Sequence, residues 1–87
     1  MKIKGSYILR EVVGEYVLIP VGDTALGFNG IISLNPVGAE IWKCLEQECD
    51  REAILKKVLD EFYVSPEEAE KDMDEFFALL QKNDLME

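Results

Sequence analysis

The tripeptide Leu34-Asn35-Pro36 divides the chain into two kinds of pattern, and this boundary constrains the fold more than any other feature. Asn is a favoured N-cap because its side-chain carbonyl accepts a backbone N–H that the first helical turn leaves orphaned. Pro suits the first helical position, where its missing N–H costs nothing. A helix therefore starts here. The apolar run abutting it, residues 31–34, reads as a short strand.

Upstream of the boundary the pattern is β-like. "SYILREVV" (residues 6–13) and "EYVLIPV" (15–21) are rich in β-branched and aromatic residues. Gly14-Glu15 near their junction has the composition of a type II′ hairpin turn. Pro20 cannot donate to a ladder, which weakens the second strand near its end. "GDTALGFNG" (22–30) carries three glycines and reads as a loop or bulged excursion.

Downstream the spacing is helical. Val37, Ile41, Trp42 and Leu45 fall on one face of the first helix. Asp50 caps a second helix bearing Ile54, Leu55, Val58, Leu59 and Phe62. Ser65-Pro66-Glu67-Glu68 is a capping box with Pro at the first position, opening a third helix whose apolar face is Ala69, Met73, Phe76, Phe77 and Leu80. Asn83 ends it, and Leu85-Met86 is expected to fold back on the core. The expected fold class is α+β, three antiparallel strands followed by three helices (βββααα), forming a single domain over residues 1–87.

Composition narrows the function. With 48% hydrophobic and 31% charged residues the chain reads as a folded globule, not a disordered tail. No apolar run approaches the ~20 residues of a membrane span. The first residues carry no apolar signal-peptide core, so a cytoplasmic location is the default. Eighteen acids against nine bases give a formal net charge of −9, which repels phosphate backbones and anionic lipid.

The residues for chemistry are sparse. The 87 residues include no His, the usual general base near neutral pH. Phosphate-binding loops, nucleophile elbows and metal-ligand clusters are missing. Cys44 and Cys49 are too few for a structural zinc site and read as a residue flanking a buried helix face and one ending that helix. Glu67, Glu68, Glu70, Asp72, Asp74 and Glu75 read as a solvated helix face before they read as a metal site. A winged-helix DNA reader would have to present "PEEAEKDMDE" to the major groove, where basic phosphate contacts are needed. An acyl carrier is all-helical with an Asp-Ser-Leu triplet, whereas Ile32-Ser33-Leu34 lacks the Asp and lies in a strand.

"GIISLNPVGAEIWKCLE", then "AILKKVLDEF", then "VSPEEAEKDMDEFFALLQKNDLME" together resemble the PqqD-like proteins, the precursor-peptide recognition elements of ribosomal peptide natural-product pathways. The resemblance covers roughly residues 6–87 and rests on Leu34-Asn35, Ile41-Trp42, and the spacing of Ser65-Pro66, Asp72, Phe76 and Leu85. The family more often shows a β-branched residue or Leu near Met73 and Phe77, a core-packing departure.

The resemblance implies a winged helix-turn-helix-like domain that binds no DNA, carries no catalytic residue, metal or cofactor, and holds the leader segment of a precursor peptide. That segment would add as a strand to the edge of the third strand and lie in a groove beside the third helix. A peptide-modifying enzyme, often a radical S-adenosylmethionine enzyme, would then act on the peptide. Within that picture, backbone pairing falls to Gly30, Ile31, Ile32, Ser33 and Leu34. Alternation places Ile32 and Leu34 on one face, with Leu34 inward. Asp72, Phe76 and Leu79 are expected to face the peptide and Phe77 the other flank, although Leu79 also fits packing under the sheet or the C-terminal tail. Two other readings stand beside this one: an interaction or scaffold domain without a leader ligand, and a DNA-binding regulator. An open strand edge also permits a homodimer.

Overall fold

Register decides the N-terminal hairpin. In the computed structural model, which describes residues 3–27, 30–47 and 49–86, β1 (Tyr7–Val12) and β2 (Glu15–Pro20) pair antiparallel from Val12↔Glu15 to Tyr7↔Pro20. The turn is Val13-Gly14, not Gly14-Glu15, and both residues have positive φ, 51° and 79°. Positive φ at both central positions is the mark of a type I′ turn, whose twist matches that of the strands. Gly14 adopts it freely, but Val13 is β-branched and almost fully exposed, so nothing packs against it to offset the strain. The compensation lies in the register. It sets Leu9 opposite Leu18 and leaves Pro20, which has no donor, at the strand's end.

The glycine-rich stretch is not all loop. Asp23–Gly27 forms a one-turn helix, α1, which corrects the loop expectation for residues 23–27. Its three glycines mask an Asp-Thr-Ala-Leu segment free to coil. The Ser6 amide donates to Thr24 Oγ1 (2.8 Å) and the Val21 amide to the Ser6 carbonyl (3.1 Å), tying the turn to the start of β1. Phe28 and Asn29 of the expected loop lie outside the described residues.

Strand β3 (Ile32–Leu34) pairs with β2 through Leu18↔Ile32, Val17↔Ser33 and Tyr16↔Leu34, giving the order β1-β2-β3. Ile32 and Leu34 are buried while Ser33 and Ile31 are exposed, as alternation requires. Ile31 falls just outside the strand.

Three longer helices follow, so the three-strand, three-helix class holds with α1 as an insertion. They are α2 (Pro36–Leu45), α3 (Arg51–Glu61) and α4 (Pro66–Lys82). Each begins on the cap read from the sequence. Asn35 accepts from the Gly38 amide (2.7 Å), Asp50 from Ala53 (2.8 Å) and Ser65 from Glu68 (3.1 Å). Their apolar faces close over the sheet around Leu18, Ile41, Trp42, Ile54, Met73 and Leu80, all essentially inaccessible to solvent. Tyr7 packs edge-on to Trp42 at 5.7 Å. The indole N–H of Trp42 is buried without a hydrogen-bond acceptor among the described residues.

The end of α4 explains the fold-back. Asp84 takes a left-handed φ of 59°, the Asp84 amide donates to the Gln81 carbonyl (3.1 Å) and the Leu85 amide to the Leu80 carbonyl (2.8 Å). That pair of bonds is the Schellman motif, with its usual apolar contact supplied by buried Leu80 and Leu85. The tail then meets the N-terminal segment: the Lys4 amide donates to the Leu85 carbonyl (2.7 Å), and Ile3 bridges Met86.

Candidate functional site

A cleft opens between the free edge of β3, the first turn of α2 and one face of α4. Its walls are Ser33, Leu34, Asn35, Gly38, Asp72, Glu75, Phe76 and Leu79. The four α4 residues stand at positions i, i+3, i+4 and i+7, a single stripe of a 3.6-residue helix. β3 pairs only with β2, which leaves its outer edge unpaired among the described residues. Unpaired N–H and C=O groups on such an edge are a template for another strand.

The cleft measures about 160 Å³. Pockets for small-molecule ligands usually run from about 300 to 1,000 Å³, so this one suits a single side chain, not a cofactor. Its apolar floor is Leu34 and Phe76, with Leu79 half-buried beside them. Gly38 sets the depth: a Cβ there would stand 3.2 Å from the Phe76 ring and 3.2 Å from Asn35 Oδ1. Any other residue at 38 would push the ring into the cleft or disturb the cap. Asp72 and Glu75 bring two carboxylates to the rim.

Five of the eight residues expected at the site meet here: Ser33, Leu34, Asp72, Phe76 and Leu79. Gly30, Ile31 and Ile32 do not line the cleft. Gly30 and Ile31 are exposed just ahead of β3, and the Ile32 side chain is buried in the core. Asn35, Gly38 and Glu75 are additions. Asn35 was legible only as a cap, and a glycine inside an otherwise regular helical turn was the one sign of a close approach at 38.

The other flank of α4 also bears an open depression, of about 360 Å³, lined by Arg51, Asp74, Phe77, Ala78, Gln81 and Met86, but there the Phe77 ring meets a cation of the chain's own. The Arg51 guanidinium lies 5.8 Å from the centre of the Phe77 ring and donates to Asp74 at 2.8 Å, covering the aromatic face. Phe77 thus lies away from the cleft.

Two thiols lie apart from both flanks. Cys44 sits half-buried on α2, and the Cys49 thiol donates to the Cys44 carbonyl at 2.9 Å, satisfying one of the helix's last acceptors. Burial, first, and then the neighbouring Cys49 and Glu40 push the Cys44 pKa up, against a smaller opposing pull from Lys57. A thiol held protonated is a poor nucleophile. Tyr7 is likewise shifted upward, by burial and then by Asp84. Among the described residues no group of three or more His, Cys, Asp or Glu could hold a metal ion, and no helix is long and apolar enough to cross a membrane.

The family model described as coenzyme PQQ synthesis protein D (PqqD) matches residues 15–86, and the chain belongs to that family. In fold it is similar to a solved structure titled "TbiB1 in Complex with the TbiA(beta) Leader Peptide", with a TM-score of 0.74 and 26% identity over 100% of this chain and 95% of that one. No curated protein sequence matches the chain.

Proposed function

We propose that this protein is a non-catalytic recognition element that captures the leader segment of a ribosomally made precursor peptide and presents it to a modifying enzyme. The leader adds as a strand to the outer edge of β3, and one of its apolar side chains enters the cleft against α4. The observation that carries this reading is the coincidence of an unpaired strand edge with a side-chain-sized cleft, in a chain of this family. The likeness to a protein solved with a leader peptide supports it. The scarcity of general bases and the upward shift of Cys44 favour binding over catalysis.

A recognition step that must release its product calls for a moderate affinity, with a Kd from roughly micromolar to high nanomolar. Selection of random peptides against the immobilised chain, followed by calorimetric titration of the enriched sequences, tests the proposal. Enriched peptides should bind in that range and lose binding when their backbone is N-methylated at alternate positions. Binding insensitive to N-methylation would rule out strand addition, and enrichment of nothing would rule out peptide capture.

A further inference from the structure

The stripe on α4 that faces the cleft changes character along its length: Asp72 and Glu75 on one part, Phe76 and Leu79 on the other. These two carboxylates are the only formal charges among the described lining residues. The first turn of α2 also borders the cleft, but Asn35 already accepts its Gly38 amide. The described ion pairs lie elsewhere, as Lys4–Asp84, Arg51–Asp74 and Lys57–Glu61. Asp74 pairs with Arg51 on the opposite flank of the same helix, whereas Asp72 and Glu75 pair with no cation among the described residues. An acidic leader would meet like charge at the rim. A basic one would complete two pairs.

Spacing sharpens this. Asp72 and Phe76 are one helical turn apart, a rise of about 6 Å at 1.5 Å per residue. In an extended peptide, side chains two residues apart share a face and stand roughly 6.6 Å from one another. For a strand running along α4 the two repeats coincide. Resting on the peptide-capture reading, we propose that the leader recognised by this protein carries Lys or Arg two positions from its apolar anchor, on the same face. The anchor fills the cleft over Leu34, Phe76 and Leu79 while the cation meets Asp72 and Glu75.

The test is a selection of random twelve-residue peptides on the full chain, run in parallel on Asp72→Asn/Glu75→Gln and on Glu75→Gln alone, which alters only an exposed side chain. The wild-type chain should enrich an apolar residue with Lys or Arg two positions away. The double variant should keep the apolar residue and lose the basic one. A peptide selected on the wild type should bind about two- to fivefold more weakly for each carboxylate neutralised, with a flatter salt dependence. General attraction of cations to an acidic surface is separable, because the other acids remain in both variants and would preserve the bias. Enriched peptides with no basic bias, or with a bias unchanged by the double variant, would overturn the inference and leave peptide capture standing. If no peptide is enriched on any of the three chains, capture itself fails and the inference with it.

Discussion

Phe76 and Phe77 are neighbours on one helix, nearly equally buried, and yet they serve different ends. Phe77 is covered by the chain's own Arg51, which Asp74 holds in place. Phe76 forms the floor of a cleft that the chain leaves unfilled, beneath a strand with an open edge. The difference lies in what each ring meets, the chain's own cation on one flank and an unpaired strand edge on the other, and the 100° step between adjacent helical residues is what separates them.

The contrast can be broken by mutation, starting with the largest effect. Phe77→Ala should cost ~3–5 kcal/mol in chemical unfolding, because it empties a buried site that α3 cannot refill. The fraction that stays folded should keep its peptide affinity. Leu79→Ala should do the reverse, lowering peptide affinity about tenfold in a titration, roughly 1.4 kcal/mol, with a smaller loss of unfolding free energy. If Phe77→Ala abolished binding in folded protein, or Leu79→Ala left it intact, the division between the flanks would be wrong.

Gly38→Ala sharpens the comparison from the other side of the cleft. A helix-propensity gain of about 1 kcal/mol is opposed by the crowding of Phe76 and Asn35, so stability should change little while affinity falls severalfold. Two changes remote from the cleft should move stability alone. Val13→Asn relieves a β-branched residue at positive φ and should raise unfolding free energy by about 1 kcal/mol. The pKa values of Cys44 and Tyr7 are both raised in the folded chain, so each favours the protonated form there. Their contribution is full below the unfolded pKa values and is lost as pH rises through the folded ones. Denaturant midpoints should therefore decline through the alkaline range, and Cys44→Ala should remove part of that decline.

Much of the architecture is legible in the sequence because it is encoded locally. Asn35-Pro36, Asp50 and Ser65-Pro66 cap helices through side chains one turn away, and the apolar periods that follow set each buried face. The hairpin turn was misplaced because its position depends on cross-strand packing of Leu9 with Leu18, a non-local term that outweighs the strain at Val13. Helix α1 escaped notice because one turn is too short to show a period, and its tie to Ser6 is tertiary. At the cleft, the family resemblance implied a groove beside this helix, and the helical repeat put Asp72, Phe76 and Leu79 on one side of it. Gly38 and Asn35 could not be placed there, since their role arises only where α2 meets α4. Glu75 lies on the same stripe, but six acids along one helix hide which two face the cleft until β3 and α2 are placed beside α4.

The central claim is that the open edge of β3 and the cleft face of α4 receive one extended peptide. Backbone amide NMR of the full chain, titrated with a peptide selected on it, tests this most directly. Shifts confined to residues 30–34 and 68–80, with new protection from hydrogen exchange along β3, are the expected result. Binding that leaves these amides unmoved and shifts those around Arg51 and Gln81 instead would contradict it.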